Sequence, residues 1–387
     1  MRFPEFSGEW NNTRLKDLCK FLSGGTPSID NVEYWGGDIP FVSAIAMHDI
    51  HIEETPLHLT KKGVSNGSKQ LKAGNLLLLV RGSMLWNKIP ICYNDVDVAF
   101  NQDVKGIIPN SNTTSLFLLN WILSHENKIK YMVAGTGIGA GKLDSEDLLA
   151  LNVKLPSLIE QKKIEKFLSL IDERITTQIR IINELQSLIS GITQRTSKHS
   201  SVRMVLLSEL LVERNEKNTE LFPVHSVSVS EGVINQIDYL GRSFSAADTS
   251  HYNVAHRGDI IYTKSPTGEF PFGIVKRNSV ETNVSVSPLY GVYKPVSDEV
   301  ALYIHYYFCS PLNAQNYLHK LIQKGAKNTI NITNQRFLEN IIPLPDRKTL
   351  TGFVKIISSV SAKLELEKSL LETLQTQKRY LLTQMFV

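Results

Sequence analysis

The strongest constraint on this chain is a heptad pattern that occurs twice. From Ile164, steps of four and three pick out Ile164, Leu168, Ile171, Ile175, Gln178, Ile182, Leu185, Ile189 and Ile192, and only Gln178 among them is polar. Apolar residues at that spacing form the seam of a coiled coil, with the intervening Lys, Glu, Arg, Gln and Thr on the solvated face. The same steps taken 189 residues later pick out Phe353, Ile357, Val360, Leu364, Glu367, Leu371, Leu374, Lys378 and Leu381. Glu367 is the repeat-mate of Gln178. A polar residue within a seam fixes register, so two seams interrupted at matched sites are expected to pair with each other.

The segments flanking the helices repeat as well. LDSEDLLALNVKLPSLIEQKKIEKFL, from Leu143, aligns with ITNQRFLENIIPLPDRKTLTGFVKII, from Ile332, setting Leu155-Pro156 against Leu344-Pro345 and Val153 against Ile342. KAGNLLLLVRGS (residues 72–83) resembles HRGDIIYTKSPTG (256–268), and RLKDL (14–18) resembles LLSEL (206–210). Internal repeats decide architecture ahead of local patterns. The expectation is a tandem duplication: globular domain 1–156, long helix 157–199, globular domain 200–345, long helix 346–387. Residues 76–80 and 260–263 read as buried strands, and 89–93, 105–108, 273–275 and 290–293 as further strands. Residues 115–131 and 299–324 read as helices, and Asp144 and Thr333 as N-caps of short ones. The fold class is therefore duplicated α/β (α+β) domains separated by a long antiparallel two-helix coiled coil, with pseudo-two-fold symmetry.

Charge is distributed unevenly. The 387 residues carry 42 basic and 38 acidic groups, a formal charge of +4. The first globular segment is −1 and the second 0, whereas the helical segments are +2 and +3. Bulk charge alone does not announce a nucleic-acid binder, so any phosphate contact must come from local patches. The longest uninterrupted apolar stretch is residues 76–80, far short of the ~20 residues of a membrane span. MRFPEFSGEW lacks a basic start followed by an apolar core, and Cys19, Cys92 and Cys309 are widely spaced. Both observations point to a reducing cytoplasm with neither a secretory signal nor a disulfide framework.

Catalytic motifs fail one by one. AGTGIGAGK (134–142) suggests a phosphate loop, but Walker spacing needs Gly where Thr136 stands and Ser or Thr where Leu143 stands. A dinucleotide pattern begun at Gly135 ends on Ala140, leaving a loop near nucleic acid or at a domain joint. His48, His51 and His58 with Glu53 and Glu54 lack metal-site spacing and read as a polar surface loop. Glu160-Gln161-Lys162 and Asp346-Arg347-Lys348 offer nuclease-like fragments but lie at helix starts. No base-methylation tetrapeptide and no Gly-x-Ser-x-Gly elbow occurs. The chain is expected to have no catalytic residue, metal or cofactor of its own.

With these features in place, the chain resembles the specificity subunit of type I restriction–modification systems. The resemblance is carried by KLPSLIEQKKIEKFLSLIDERI (154–175), GNLLLLVRGS (74–83), AFNQDV (99–104) and KRYLLTQMF (378–386), together with the duplication. It implies a non-catalytic subunit that reads double-stranded DNA, each globular domain taking one half of a split target. It also implies two methyltransferase subunits carrying S-adenosylmethionine, and motor nuclease subunits using ATP and Mg. The second half departs from the pattern, with Thr349-Leu350 in place of Glu160-Gln161. If that pair helps to seat a methyltransferase subunit, the two seats are not equivalent.

The resemblance supplies no base-contacting residues, so candidates are taken from local charge and polarity. In the first domain they are Lys61, Lys62, Lys69, Arg81, Lys88 and Lys142 for phosphate, with Ser68, Ser83 and Asn87 as readers. In the second they are Arg242, Lys264, Lys276, Arg277, Lys324 and Lys327, with Ser265, Thr267 and Asn328. Lys and Arg supply salt-dependent attraction, and Arg, Asn and Gln can pair with base edges. Asn101-Gln102 is a further reader candidate with an equal structural claim. Two rival readings stay open here: a stand-alone DNA-binding regulator, and a coiled-coil scaffold carrying two ligand modules.

Overall fold

A computed structural model describes residues 1–137, 139–241, 248–324 and 330–386. The chain divides into two compact units, Met1–Gln178 with Leu370–Val387, and Ile179–Ser369, so the division cuts both long helices. Among the described residues, no helix is long and apolar enough to cross a membrane.

Each unit is built on the same strand order. In the first, Cys19–Ser23, Val104–Pro109, Leu76–Leu79 and Ile91–Asn94 lie side by side, with His51–Ile52 added at the edge. In the second the order is Leu211–Glu213, Gly291–Pro295, Ile260–Tyr262 and Val275–Arg277. The outer pair starts at the matching register in both, Cys19 opposite Pro109 and Leu211 opposite Pro295. A separate two-stranded ladder joins the start of each domain to the segment entering its helix: Asn11–Arg14 with Asn152–Leu155, and Arg203–Leu206 with Ile341–Leu344.

The repeat extends to buried polar chemistry. Asn94 and Asn278 are both fully buried. Asn94 Nδ2 donates to the carbonyls of Lys72 and Val96, and Asn278 Nδ2 to those of Ala255 and His256. The backbone carbonyl of each asparagine accepts from a turn glycine at 2.8 Å, Gly74 in one unit and Gly258 in the other. Those glycines adopt φ of +85° and +92°, where a Cβ would be strained. A buried amide survives only if its donors and acceptors are met, so the turn and the asparagine specify each other.

Two long helices anticipated as single elements break into shorter ones. Ser115–Ser124 and Glu126–Lys130 meet at His125, and Asp298–Phe308 and Pro311–His319 meet at Cys309-Ser310. The second break is chemical: the Ser310 side chain caps Asn313 N, and Pro311 at the first position has no N–H to continue the earlier ladder. Asp144 and Thr333 cap their short helices as expected, accepting from Glu146 N and Arg336 N.

The heptad segments form the helices Leu158–Ser197 and Arg347–Met385. Within the first unit they run antiparallel: Ile164 and Leu168 share a core with Leu382, Met385 and Phe386, and Asp172 pairs with Lys378. Ile171 and Leu381 pack at the margin of that core, Ile175 and Leu371 are half-buried, and Gln178 and Leu374 are buried. Within the second unit Ile182, Ile189, Phe353, Ile357 and Leu364 are buried, with Leu185, Val360 and Glu367 half-buried. Phe353 meets Tyr303 edge-on at 5.5 Å, fixing the helix to its own domain. The seam reading stops at Leu381, but Leu382, Met385 and Phe386 are the buried end residues. There the end of the helix joins the first domain's core alongside its partner, and Phe386 lies 5.2 Å from Phe117.

Glu160 and Gln161 require a correction. They are 1% and 0% exposed, so they are not presented to a partner subunit. Glu160 takes a bidentate pair from Arg2, Nε at 2.7 Å and Nη2 at 2.8 Å, and a bond from Trp10 Nε1 at 3.2 Å. Gln161 accepts from Thr114 N and donates to the Asn112 and Pro156 carbonyls. The pair clasps the chain's own first ten residues and the 112–114 loop. At the equivalent site Thr349 bonds Ser201 Oγ and the Asp346 carboxylate, and Leu350 is apolar.

Candidate nucleic-acid interface

The glycine-rich loop is a hairpin in which Ala134–Gly135 pairs with Gly141–Lys142, and that strand pairs in turn with Arg81–Gly82. Glycines at +80° (Gly137) and +82° (Gly139) make the reversal. Lys142 is thereby the cross-strand neighbour of Arg81, and both are exposed. The following turn exposes Ser83, Trp86, Asn87 and Lys88. Trp86 is 47% exposed, with Nε1 donating to Gly139 O at 3.0 Å, so its ring is held beside the hairpin with a face open to water. Lys130 Nζ reaches Asn87 O at 2.8 Å, and the adjoining Tyr131 is 93% exposed. Cations beside open aromatic faces are what a nucleic-acid surface uses for phosphate and stacking.

A second basic group lies across the 100–103 turn. Thr60 caps the helix Lys61–Ser65, presenting Lys61 and Lys62, and Lys69 begins the strand Lys69–Leu71. Lys62 pairs with Glu33, which raises the amine and lowers the carboxylate. Ser68 is a correction: its hydroxyl donates to Phe100 O at 3.0 Å and is half-buried, so it holds the turn in place of reading a base. Asn101 Oδ1 accepts from Asp103 N, a structural role, whereas Gln102 is exposed and its Oε1 accepts from Thr26 Oγ1 at 2.8 Å. Asp103 O accepts from Arg81 N, so this one turn connects both basic groups.

The second unit divides its candidates. Lys264, Ser265 and Thr267 lie in one turn, closed by mutual bonds between Thr267 and Phe270. Burial lowers the Lys264 amine, partly opposed by Glu213. Lys276 and Arg277 sit at the other end of the same hairpin, where Ile260 faces Arg277 and Ile261 faces Lys276. Lys276 is 5% exposed, with Nζ 3.5 Å from Cys309 Sγ, which removes it as a phosphate contact. Arg277 is half-buried and turned toward Asp298 at 3.7 Å. Arg242, Lys327 and Asn328 lie outside the described residues, as does the Lys324 side chain. The histidine loop resolves into separate pairs, His51 with Asp95 at 3.0 Å and His58 with Glu54 at 2.5 Å.

Sequence reasoning missed Trp86, Lys130 and Tyr131. An exposed aromatic beside lysines was the available signal, but exposure is not written in the local sequence.

A model of the type I restriction modification DNA specificity domain matches residues 7–187 and again 214–376. The chain belongs to that family. The two matches cover most of the chain and fall one on each repeat. Among curated members, the EcoR124I/EcoR124II specificity subunit of Escherichia coli is 29% identical over 174 residues, 44% of this chain and 43% of that protein. The MjaIX specificity subunit of Methanocaldococcus jannaschii is 29% identical over 173 residues, 43% of this chain and 39% of that protein. The matched segment thus spans less than half the length of these family members. The S subunit of a type I restriction–modification system from M. genitalium superposes with a TM-score of 0.60 at 14% identity, covering 100% of this chain and 99% of that one. A second structure, described as the structural basis of complex assembly and conformational transition of the type I R-M system, gives 0.55 at 14% identity over 99% and 98%. The fold class expected for the family, duplicated α/β domains with long antiparallel helices, is the one found here.

Proposed function

We propose that this chain is a non-catalytic, sequence-specific DNA-reading subunit of a cytoplasmic type I restriction–modification assembly. Each globular domain reads one half of a bipartite target in double-stranded DNA. The long helices set the separation and seat two methyltransferase subunits, which carry S-adenosylmethionine. Motor nuclease subunits with ATP and Mg complete the restriction form. Support comes from one observation above the others: a single scaffold, down to its buried asparagine and turn glycine, occurs twice beneath two different sets of exposed polar residues. Like scaffolds with unlike surfaces suit two different half-sites, since binding residues concentrate on loops held by a rigid frame. Helices of 40 and 39 residues reach about 60 Å at ~1.5 Å per residue, ample for half-sites spaced by DNA turns of ~34–36 Å.

Phosphate contacts in the first domain are assigned to Lys61, Lys62, Lys69, Arg81, Lys88 and Lys142, with Ser83, Asn87 and Gln102 toward bases. In the second they are Lys264 with Ser265 and Thr267, and Arg242, Lys324, Lys327 and Asn328 on sequence grounds. The double variant Arg81→Ala/Lys142→Ala should lower the slope of log affinity against log salt by about 2, at ~0.9 per phosphate contact. An unchanged slope removes that patch. Methylome sequencing with and without the gene tests the function itself. Deletion should erase one bipartite methylated motif, and an unaltered methylome would overturn the reading.

A further inference from the structure

A cavity of about 770 Å³ in the second unit is lined by Lys276, His305 and Cys309 together with Gln186, Ile189, Ser361 and Leu364 of the two long helices. Lys276 is buried, forms no ion pair with a carboxylate among the described residues, and donates to Cys309 Sγ at 3.5 Å. His305 Nδ1 accepts the backbone N–H of Arg277 at 3.1 Å, which leaves the ring proton on Nε2, and Nε2 lies 3.8 Å from the same sulfur. Two donors, one of them a buried cation, therefore converge on a single sulfur. A buried ammonium needs a compensating anion, and the group within bonding distance of it among the described residues is the Cys309 sulfur.

We propose that Cys309 is a reactive thiolate in this cavity, a modification site whose electrophile is a small hydroperoxide. The sulfur attacks one peroxide oxygen, forming an S–O bond as the O–O bond breaks. The departing hydroxide takes the proton of the new sulfenic acid and leaves as water. Sulfur loses two electrons, the peroxide is reduced to water, and the sulfenate retains the negative charge that Lys276 neutralises. Cys19 and Cys92 lie in the core of the other unit, where burial pushes both thiols up to about 12. Burial alone would raise Cys309 too, but His305 and then Lys276 outweigh it and bring the thiol down to about 6. The other charged or titratable groups lining the cavity are Tyr306, Arg277, Glu231, Glu365 and Lys368. This inference does not rest on the DNA reading.

The test uses the purified full chain. Hydrogen peroxide followed by the sulfenate probe dimedone, with peptide mass spectrometry, should label Cys309 and neither Cys19 nor Cys92. Iodoacetamide alkylation of Cys309 should rise with an inflection near pH 6 and level off above pH 7. Lys276→Met should move that inflection upward by about two units. At pH 6 the loss of thiolate outweighs the gain in nucleophilicity, so alkylation slows about fivefold. His305→Asn should shift it in the same direction. If Lys276→Met fails to fold by circular dichroism, the wild-type profile decides. An inflection above pH 8 in the wild type, or no dimedone adduct on Cys309, would overturn the proposal.

Discussion

In the first unit most of the space beneath the sheet is filled by aliphatic side chains, with Leu76 to Leu79, Val104, Ile107, Leu118, Leu148 and Ile164 almost wholly buried beside Phe100, Phe117 and Trp121. The second unit uses aromatic rings. Phe337 stacks on Tyr262 at 4.5 Å and lies within 5.0 Å of Tyr293 and 5.7 Å of Tyr317. Each tyrosine hydroxyl finds a backbone carbonyl, Tyr262 on Phe272, Tyr293 on Asn334, Tyr303 on Pro343 and Tyr317 on Phe337. Phe337 occupies the place of Leu148 in the repeat. One strand order thus accepts two core chemistries, provided volume is filled and every polar group placed inside is bonded. What did not change is the asparagine and glycine beneath the turn, where backbone geometry leaves no alternative.

The widest test of that contrast is truncation at the matched core site. Phe337→Ala should cost about 4 kcal/mol and Leu148→Ala about 3 kcal/mol, from the lost apolar area and the cavity left behind. Urea denaturation monitored separately for each unit checks both, and a small effect at Phe337 would mean the aromatic cluster merely fills space.

Next in size, Asn94→Leu and Asn278→Leu should each cost about 2–3 kcal/mol, because buried carbonyls lose their donors. Equal losses in the same assay sharpen the equivalence of the two clamps, and an unequal pair breaks it.

The smallest effect separates the units by pH. Glu165 accepts from Thr114 Oγ1 and from Phe117 N at 2.9 Å, capping the helix that starts at Ser115. Burial raises its carboxyl to about 7, with the Phe117 bond and Lys162 opposing. Because the folded value lies above the ordinary carboxylate value, the stabilisation is full below about pH 4.5 and is lost as pH rises toward 7. Val354 stands at the equivalent place in the second unit and cannot titrate. Glu165→Gln should therefore stabilise the first unit at pH 7.5 by about 1 kcal/mol, discounted for its partial exposure, and do nothing at pH 4. Melting curves at the two pH values measure it. A gain at both would show that charge is not the cause.

The corrections share a cause. Lys276 looked like a surface cation because lysines usually are, and nothing local says that a strand residue faces a thiol 33 positions away. Ser68 and the Glu160-Gln161 pair looked available for partners until their bonds to Phe100, Arg2 and Asn112 appeared. Trp86 and Tyr131 went unnoticed because long-range packing, not neighbours in sequence, leaves them open to water.

The sequence by itself determined the duplication, the two long helices and the short helix caps, because periodicity and capping act over a few residues. It also carried the family resemblance. Only the tertiary structure decided which polar groups face water, which are consumed inside, and how residues distant in the chain meet around one sulfur. Burial and hydrogen-bond satisfaction are properties of the assembled fold, since each depends on partners that the chain brings together only once it has closed.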